Sequence, residues 1–204
     1  MSKRKRNAES GLSLIELLVV VGVVIIVSAI AASGFQSAMK DAHVNDAYMT
    51  TLTTLRQARE TAIAQRCTYT VTFTAPRTIT VAPQLAGIPN CLLNLTATLP
   101  SDVAFDVEPG VPGSVTLVPD GIGLGAATGA IDFDANVGAG GSNVIYFWPD
   151  GSARDVAGNV NDGIVYIAKP GQLTSSRAVT LRGLTGRLRG WRLEPSATTP
   201  WIRI

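Results

Sequence analysis

The chain has two cysteines and one histidine in 204 residues. A disulfide-stapled miniature fold and a zinc cluster both need more sulfur and imidazole than that, and His43 is the sole candidate for histidine acid–base chemistry. Charge is scarce as well: 16% of residues are Asp, Glu, Lys or Arg, against roughly a quarter in an average globular protein. With 46% hydrophobic residues the chain can bury a core, which excludes intrinsic disorder. Proline is missing from the first 75 residues, so nothing of that kind interrupts a helix there. No Gly-x-Ser-x-Gly elbow, no phosphate-cradling Gly loop with Lys and no histidine pair for a metal occurs. These absences predict a protein that is not an enzyme, with no cofactor and no metal centre. Asp132-Phe133-Asp134-Ala135-Asn136 has the alternating oxygen ligands that open a calcium loop. Its Gly is displaced to 138 and its twelfth position is Asn143, so a solvated acidic loop is the better reading.

What is present begins with an apolar run. Residues 12 to 32 carry one charge, Glu16. At about 1.5 Å of rise per residue, about twenty apolar residues cross a hydrocarbon core of roughly 30 Å, about twice the apolar length of a secretory signal. Lys3, Arg4, Lys5 and Arg6 precede the run and predict a cytoplasmic N-terminus, with the bulk of the chain outside the cytoplasm. A carboxylate within hydrocarbon costs roughly 2.5 to 3.5 kcal/mol on insertion scales. Glu16 is therefore either an interfacial residue near the cytoplasmic end or a group that finds a cation.

The string Gly11-Leu12-Ser13-Leu14-Ile15-Glu16-Leu17-Leu18 resembles the class III leader site of type IV pilins and type II secretion pseudopilins. The resemblance implies that a prepilin peptidase of the bacterial inner membrane cuts between Gly11 and Leu12 and methylates the new amine. Leu12 stands where the family usually has Phe or Met. The implied mature chain is single-pass, its N-terminus cytoplasmic and its C-terminal domain periplasmic. Glu16, fifth in that chain, would pair with the α-amine of a neighbouring subunit's Leu12 or its own as helices bundle in a filament. Losing residues 1–11 removes four basic side chains and Glu9, leaving 13 basic against 14 acidic groups.

Helix formers dominate from 35 to 65, and Met49, Leu52, Leu55, Ala58 or Arg59, and Ala62 recur at three- or four-residue steps. The sequence thus predicts an N-terminal helix over 12–66, transmembrane over 12–33 and amphipathic over 34–66. His43, in a polar stretch of it, reads as a solvated surface residue. From Cys67 the period becomes two. Strands are expected over 68–74, 78–81, 92–99, 104–107, 114–118, 130–133, 144–148, 164–168, 179–182 and 187–193, separated by Pro and Gly turn signals, with 121–141 a long Gly-rich loop. The expected class is α+β, a long helix packed on a mostly antiparallel two-sheet β domain over 67–204. That layout, with Ile145-Tyr146-Phe147-Trp148-Pro149-Asp150-Gly151-Ser152, Gly163-Ile164-Val165-Tyr166 and Gly186-Arg187-Leu188-Arg189, resembles the H-type minor pseudopilin and FimT family.

In an oxidising periplasm Cys67 and Cys91 are expected to form a disulfide, the alternative being two separately buried thiols. Residues 100–176 hold nine acids against Arg154 and Lys169, whereas 177–204 hold six Arg against Glu194. Arg187 and Arg189 alternate onto one strand face after a Leu184-Thr185-Gly186 turn, and Trp191 follows. FimT-type relatives use a Gly-Arg-x-Arg element to bind DNA, so the resemblance implies a DNA-binding set of Gly186, Arg187, Arg189 and Trp191. The competing reading is that these Arg residues balance the acidic segment or contact the next subunit. The expected function is a minor pseudopilin or pilin that assembles with other pilin or pseudopilin subunits and primes or caps a filament near its tip. The alternative is a DNA-binding minor pilin for natural transformation.

Overall fold

A computed structural model describes residues 13–85, 87–113, 117–122, 129–134 and 142–204, without the side chains of 32–40. The chain divides into two compact units, 1–40 and 41–204. One helix, α1 (Leu14–Gln65), begins in the first and ends in the second. In the first unit, Leu14–Ala31 has a mean hydropathy of 3.0 and no buried residue, and it is long and apolar enough to cross a membrane.

In the second unit, Val44, Ala47, Leu52, Leu55, Ala58 and Ala62 of α1 are each 3% exposed or less. The three- and four-residue steps put them on one face, as the periodicity predicts. Met49 departs from the expected stripe and is 48% exposed. Thr51 and Thr54 are buried on this face instead, and Thr51 Oγ1 satisfies itself by donating to the Ala47 carbonyl at 2.9 Å. The helix stops at Arg66, whose φ of 54° is left-handed, and the Cys67 N–H returns to the Ala62 carbonyl at 3.2 Å.

Ten strands follow, β1 (Tyr69–Thr74), β2 (Thr78–Pro83), β3 (Leu95–Thr98), β4 (Ile131–Asp132), β5 (Val144–Phe147), β6 (Ala153–Arg154), β7 (Gly163–Ile167), β8 (Arg177–Arg182), β9 (Arg187–Leu193) and β10 (Trp201–Arg203). They form two five-stranded sheets, in the orders β3-β2-β1-β5-β6 and β10-β9-β8-β7-β4, with every pairing antiparallel. The α+β layout with two antiparallel sheets is the one expected. Three segments differ from expectation. Residues 104–107 make only an isolated bridge, Ala104 to Ala168, while β6 and β10 lie outside the segments that alternation predicts. Most of the Gly-rich stretch 121–141 and residues 114–116 of an expected strand lie outside the described residues.

One core joins the helix face to both sheets, through Tyr69, Val71, Phe73, Ile79, Ile145 and Phe147 of the first and Val165, Ile167, Val179 and Leu181 of the second. A smaller core covers the other face of the second sheet, where Tyr166 packs on Trp201 with ring centroids 5.6 Å apart. This two-sided burial explains why β7 is buried at every position and reads as a continuous apolar run. Gly190 of β9 is needed where Tyr48 of α1 crosses the strand, since a methyl group there would overlap the tyrosine ring and hydroxyl.

His43 is not simply solvated. Its Nδ1 lies 2.9 Å from Asp102 Oδ1, and Lys169 Nζ donates to Asp102 Oδ2 at 2.8 Å. The Lys169 bond above all, then that of His43, holds the Asp102 carboxyl below its usual range.

Candidate functional site

Two regions carry the residues that the sequence singles out. At the N-terminus, Gly11 and Leu12 lie outside the described residues. Glu16 sits in the first turn of α1, exposed between Ile15 (70% exposed) and Leu17 (58%), and is the one acid or base within Leu14–Ala31. An apolar helix with a single carboxylate at this depth needs a cation or a proton when it enters hydrocarbon.

The two cysteines are joined. Cys67, just past the helix, bonds Cys91, which precedes β3, with Cα atoms 5.9 Å apart. The bridge ties the helix end to the 67–91 segment, and the Leu93 N–H adds a hydrogen bond by donating to Tyr69 Oη at 3.2 Å.

The C-terminal basic element divides into parts with different surroundings. Strands β8 and β9 pair Arg182 with Arg187 across the turn, as the Leu184-Thr185-Gly186 reading predicts. Gly186 has a φ of 60°, a conformation that disfavours a side chain, and a methyl group there would strike the Gly151 carbonyl and the Arg59 side chain. Arg187 is exposed. Arg189 instead turns to Asp120, with its Nη1 on Asp120 Oδ1. Arg182 meets the same carboxylate through Nε at 3.7 Å and Asp162 through Nη1 at 2.7 Å. The Trp191 indole N–H donates to Thr180 Oγ1 at 2.9 Å and is half-buried. Of the four residues expected to act together, Gly186 and Arg187 share one place, while Arg189 and Trp191 are tied to other groups.

What Arg187 does meet is the helix. Arg56, Arg59, Glu60, Thr185, Gly186, Arg187 and Leu188 line a groove of about 400 Å³. Arg59 is fixed in it, its Nε donating to the Gly151 carbonyl and its Nη2 to the Thr185 carbonyl, both at 3.0 Å. Arg56 lies one turn earlier on the same helix face. Among the described residues, neither Arg56 nor Arg187 has a carboxylate within 4.0 Å. No sequence pattern cues this convergence, because Arg56 and Arg59 lie more than 120 residues from Arg187.

A second cluster is acidic. Asp132 is 2% exposed, and burial, followed by its hydrogen bonding with Asp134, pushes its carboxyl up to about 7. Of the calcium-loop reading, Ala135, Asn136 and Gly138 lie outside the described residues, and Asn143 Nδ2 donates to the Phe73 carbonyl at 2.8 Å. Among the described residues no three His, Cys, Asp or Glu side chains gather to hold a metal ion. Comparison with family models, with curated proteins and with solved structures finds no match for this chain.

Proposed function

We propose that this chain is a minor pilin-like subunit of the bacterial inner membrane, processed by a prepilin peptidase after Gly11 and assembled through its helix with other pilin or pseudopilin subunits. The observation that carries the reading is the order of parts. A basic stretch, Lys3 to Arg6, precedes Gly11. Glu16 follows at the head of an apolar helix long enough to span a bilayer. A disulfide-bonded β domain comes last. In a filament core, Glu16 would meet the α-amine freed at Leu12, in a medium where pairing is strong and an unpaired charge is penalised. The β domain stands in the periplasm, where disulfides persist, and the subunit primes or caps a type II secretion pseudopilus or a type IV pilus near its tip. Co-expression with an active or a catalytically dead prepilin peptidase tests this. The chain should shorten only with the active enzyme; a chain of unchanged length with both would refute the proposal.

A second reading, DNA capture by the C-terminal basic element, draws on one observation: exposed Arg187 stands beside Arg56 and Arg59 in the groove. Arg189 and Trp191, which the same reading needs, are committed to Asp120 and Thr180. A salt-dependent mobility shift with the full chain tests it, and binding unaffected by Arg187→Ala would remove this residue from any DNA site.

A further inference from the structure

The groove between α1 and the β8–β9 turn has a chemistry of its own, which does not depend on cleavage after Gly11. Three guanidinium groups, Arg56, Arg59 and Arg187, face one carboxylate, Glu60, so the groove holds an excess of about two positive charges. Arg59 is pre-positioned, because two backbone carbonyls fix its plane while, among the described residues, its Nη1 donors have no partner. The lack of a side chain at Gly151 and Gly186 lets it lie there: a methyl on Gly151 would come within 3.2 Å of Arg59 Nη2, and one on Gly186 would overlap the Arg59 side chain.

Aliphatic side chains flank this groove along the turn and the helix. Leu184, just before Thr185 in the turn, is 76% exposed, and Ile63, one turn beyond Arg59 on the helix, is 42% exposed. Leu188 is half-buried in the groove wall. Among the described residues no aromatic side chain lines the groove, so a nucleic acid base would find no ring of theirs to stack on there. A cationic groove with one fixed guanidinium, Arg59, beside exposed aliphatics complements a chain segment in which carboxylates and aliphatic side chains are interspersed. We propose that this groove is a docking site for an acidic, Leu- or Ile-bearing segment of another polypeptide, held by Arg56, Arg59 and Arg187 with its apolar side chain against Leu184 and Ile63.

The test uses the full chain in non-ionic detergent and three fluorescent probes: a short peptide rich in Glu and Leu, the same peptide with Gln for Glu, and a single-stranded oligonucleotide of equal charge. The Glu peptide should bind more tightly than the other two. Its affinity should fall about tenfold or more in an Arg56→Ala, Arg187→Ala double variant and weaken with salt. Arg203→Ala, an exposed cation outside the groove, should leave it unchanged. Both Arg56 and Arg187 are exposed, so their loss does not threaten the fold. Equal binding of the Glu and Gln peptides, or equal affinity for the double variant and the parent, would overturn the proposal. Tighter binding of the oligonucleotide with the same Arg dependence would also overturn it and assign the groove to nucleic acid.

Discussion

Arg189 on β9 reaches across 69 residues of sequence to Asp120, and the carboxylate that receives it is only 9% exposed. The pair neutralises one of the two guanidinium groups of the Gly-Arg-x-Arg element and leaves the other, Arg187, to the groove on the helix side. Asp120 itself holds a φ of 57°, a backbone conformation that Asp and Asn tolerate better than other side chains with a Cβ.

Asp120→Asn keeps that backbone and removes the charge, leaving Arg189 and Arg182 facing a neutral amide. Breaking a partly buried pair from one side destabilises by about 2 kcal/mol or more. Urea unfolding followed by tryptophan fluorescence should show a lower midpoint. An unchanged midpoint would mean that solvent compensates Arg189 fully.

The disulfide closes a long loop, and its loss removes a constraint on the unfolded chain worth about 3 kcal/mol on the entropy model. Thiol labelling of the oxidised protein under denaturing conditions should find no free thiol at Cys67 or Cys91. Reduction, or the Cys67→Ser, Cys91→Ser variant, should lower the melting temperature; two reactive thiols in unreduced protein would contradict the pairing.

Asp132 supplies a pH dependence with a definite sign. Its carboxyl, pushed up to about 7 from 3.8, keeps its proton in the folded chain at pH values where the unfolded chain has lost it. Stability therefore falls as pH rises through that window and levels off above it. Asp132→Asn should flatten the dependence between pH 5 and 8. An equally steep fall in the variant would show that another group carries it.

Gly190→Ala should destabilise by about 1 to 3 kcal/mol, because the added methyl meets the Tyr48 ring on the packed helix. Shortening the tyrosine in a Tyr48→Leu, Gly190→Ala double variant should recover part of the loss, giving a coupling between the two sites in a mutant cycle. Purely additive effects would place the strain elsewhere.

The parts of the fold that sequence patterns reveal are the local ones. Alternation fixes β1, β2 and β5, and the three- and four-residue steps find Leu52, Leu55 and Ala62 on the buried helix face. Hydrophobicity favours Met49 over Thr51 for the buried face, yet Thr51 takes it, because its hydroxyl is satisfied inside the helix and needs no water. β10 is three residues long and follows Pro200, too short for a period to emerge. At the candidate site the turn at Gly186 was legible, since it depends on neighbouring residues. The partners of Arg189, Trp191 and His43 were not, because Asp120, Thr180 and Asp102 are brought to them by pairings 11 to 69 residues apart.

Glu16→Ala separates processing from assembly. The variant chain should still be cleaved, since the peptidase site precedes it, but it should enter filaments poorly when co-isolated with pilin or pseudopilin subunits. Incorporation equal to that of the parent chain would show that Glu16 has no pairing role in the filament.

The most direct measurement is the intact mass and first residue of the chain extracted from membranes of cells that contain a prepilin peptidase. The polypeptide should start at Leu12, lacking the eleven residues of the basic leader, with or without a methyl group on its amine. A chain that still begins with Met1, or one cut elsewhere in the helix, would contradict it.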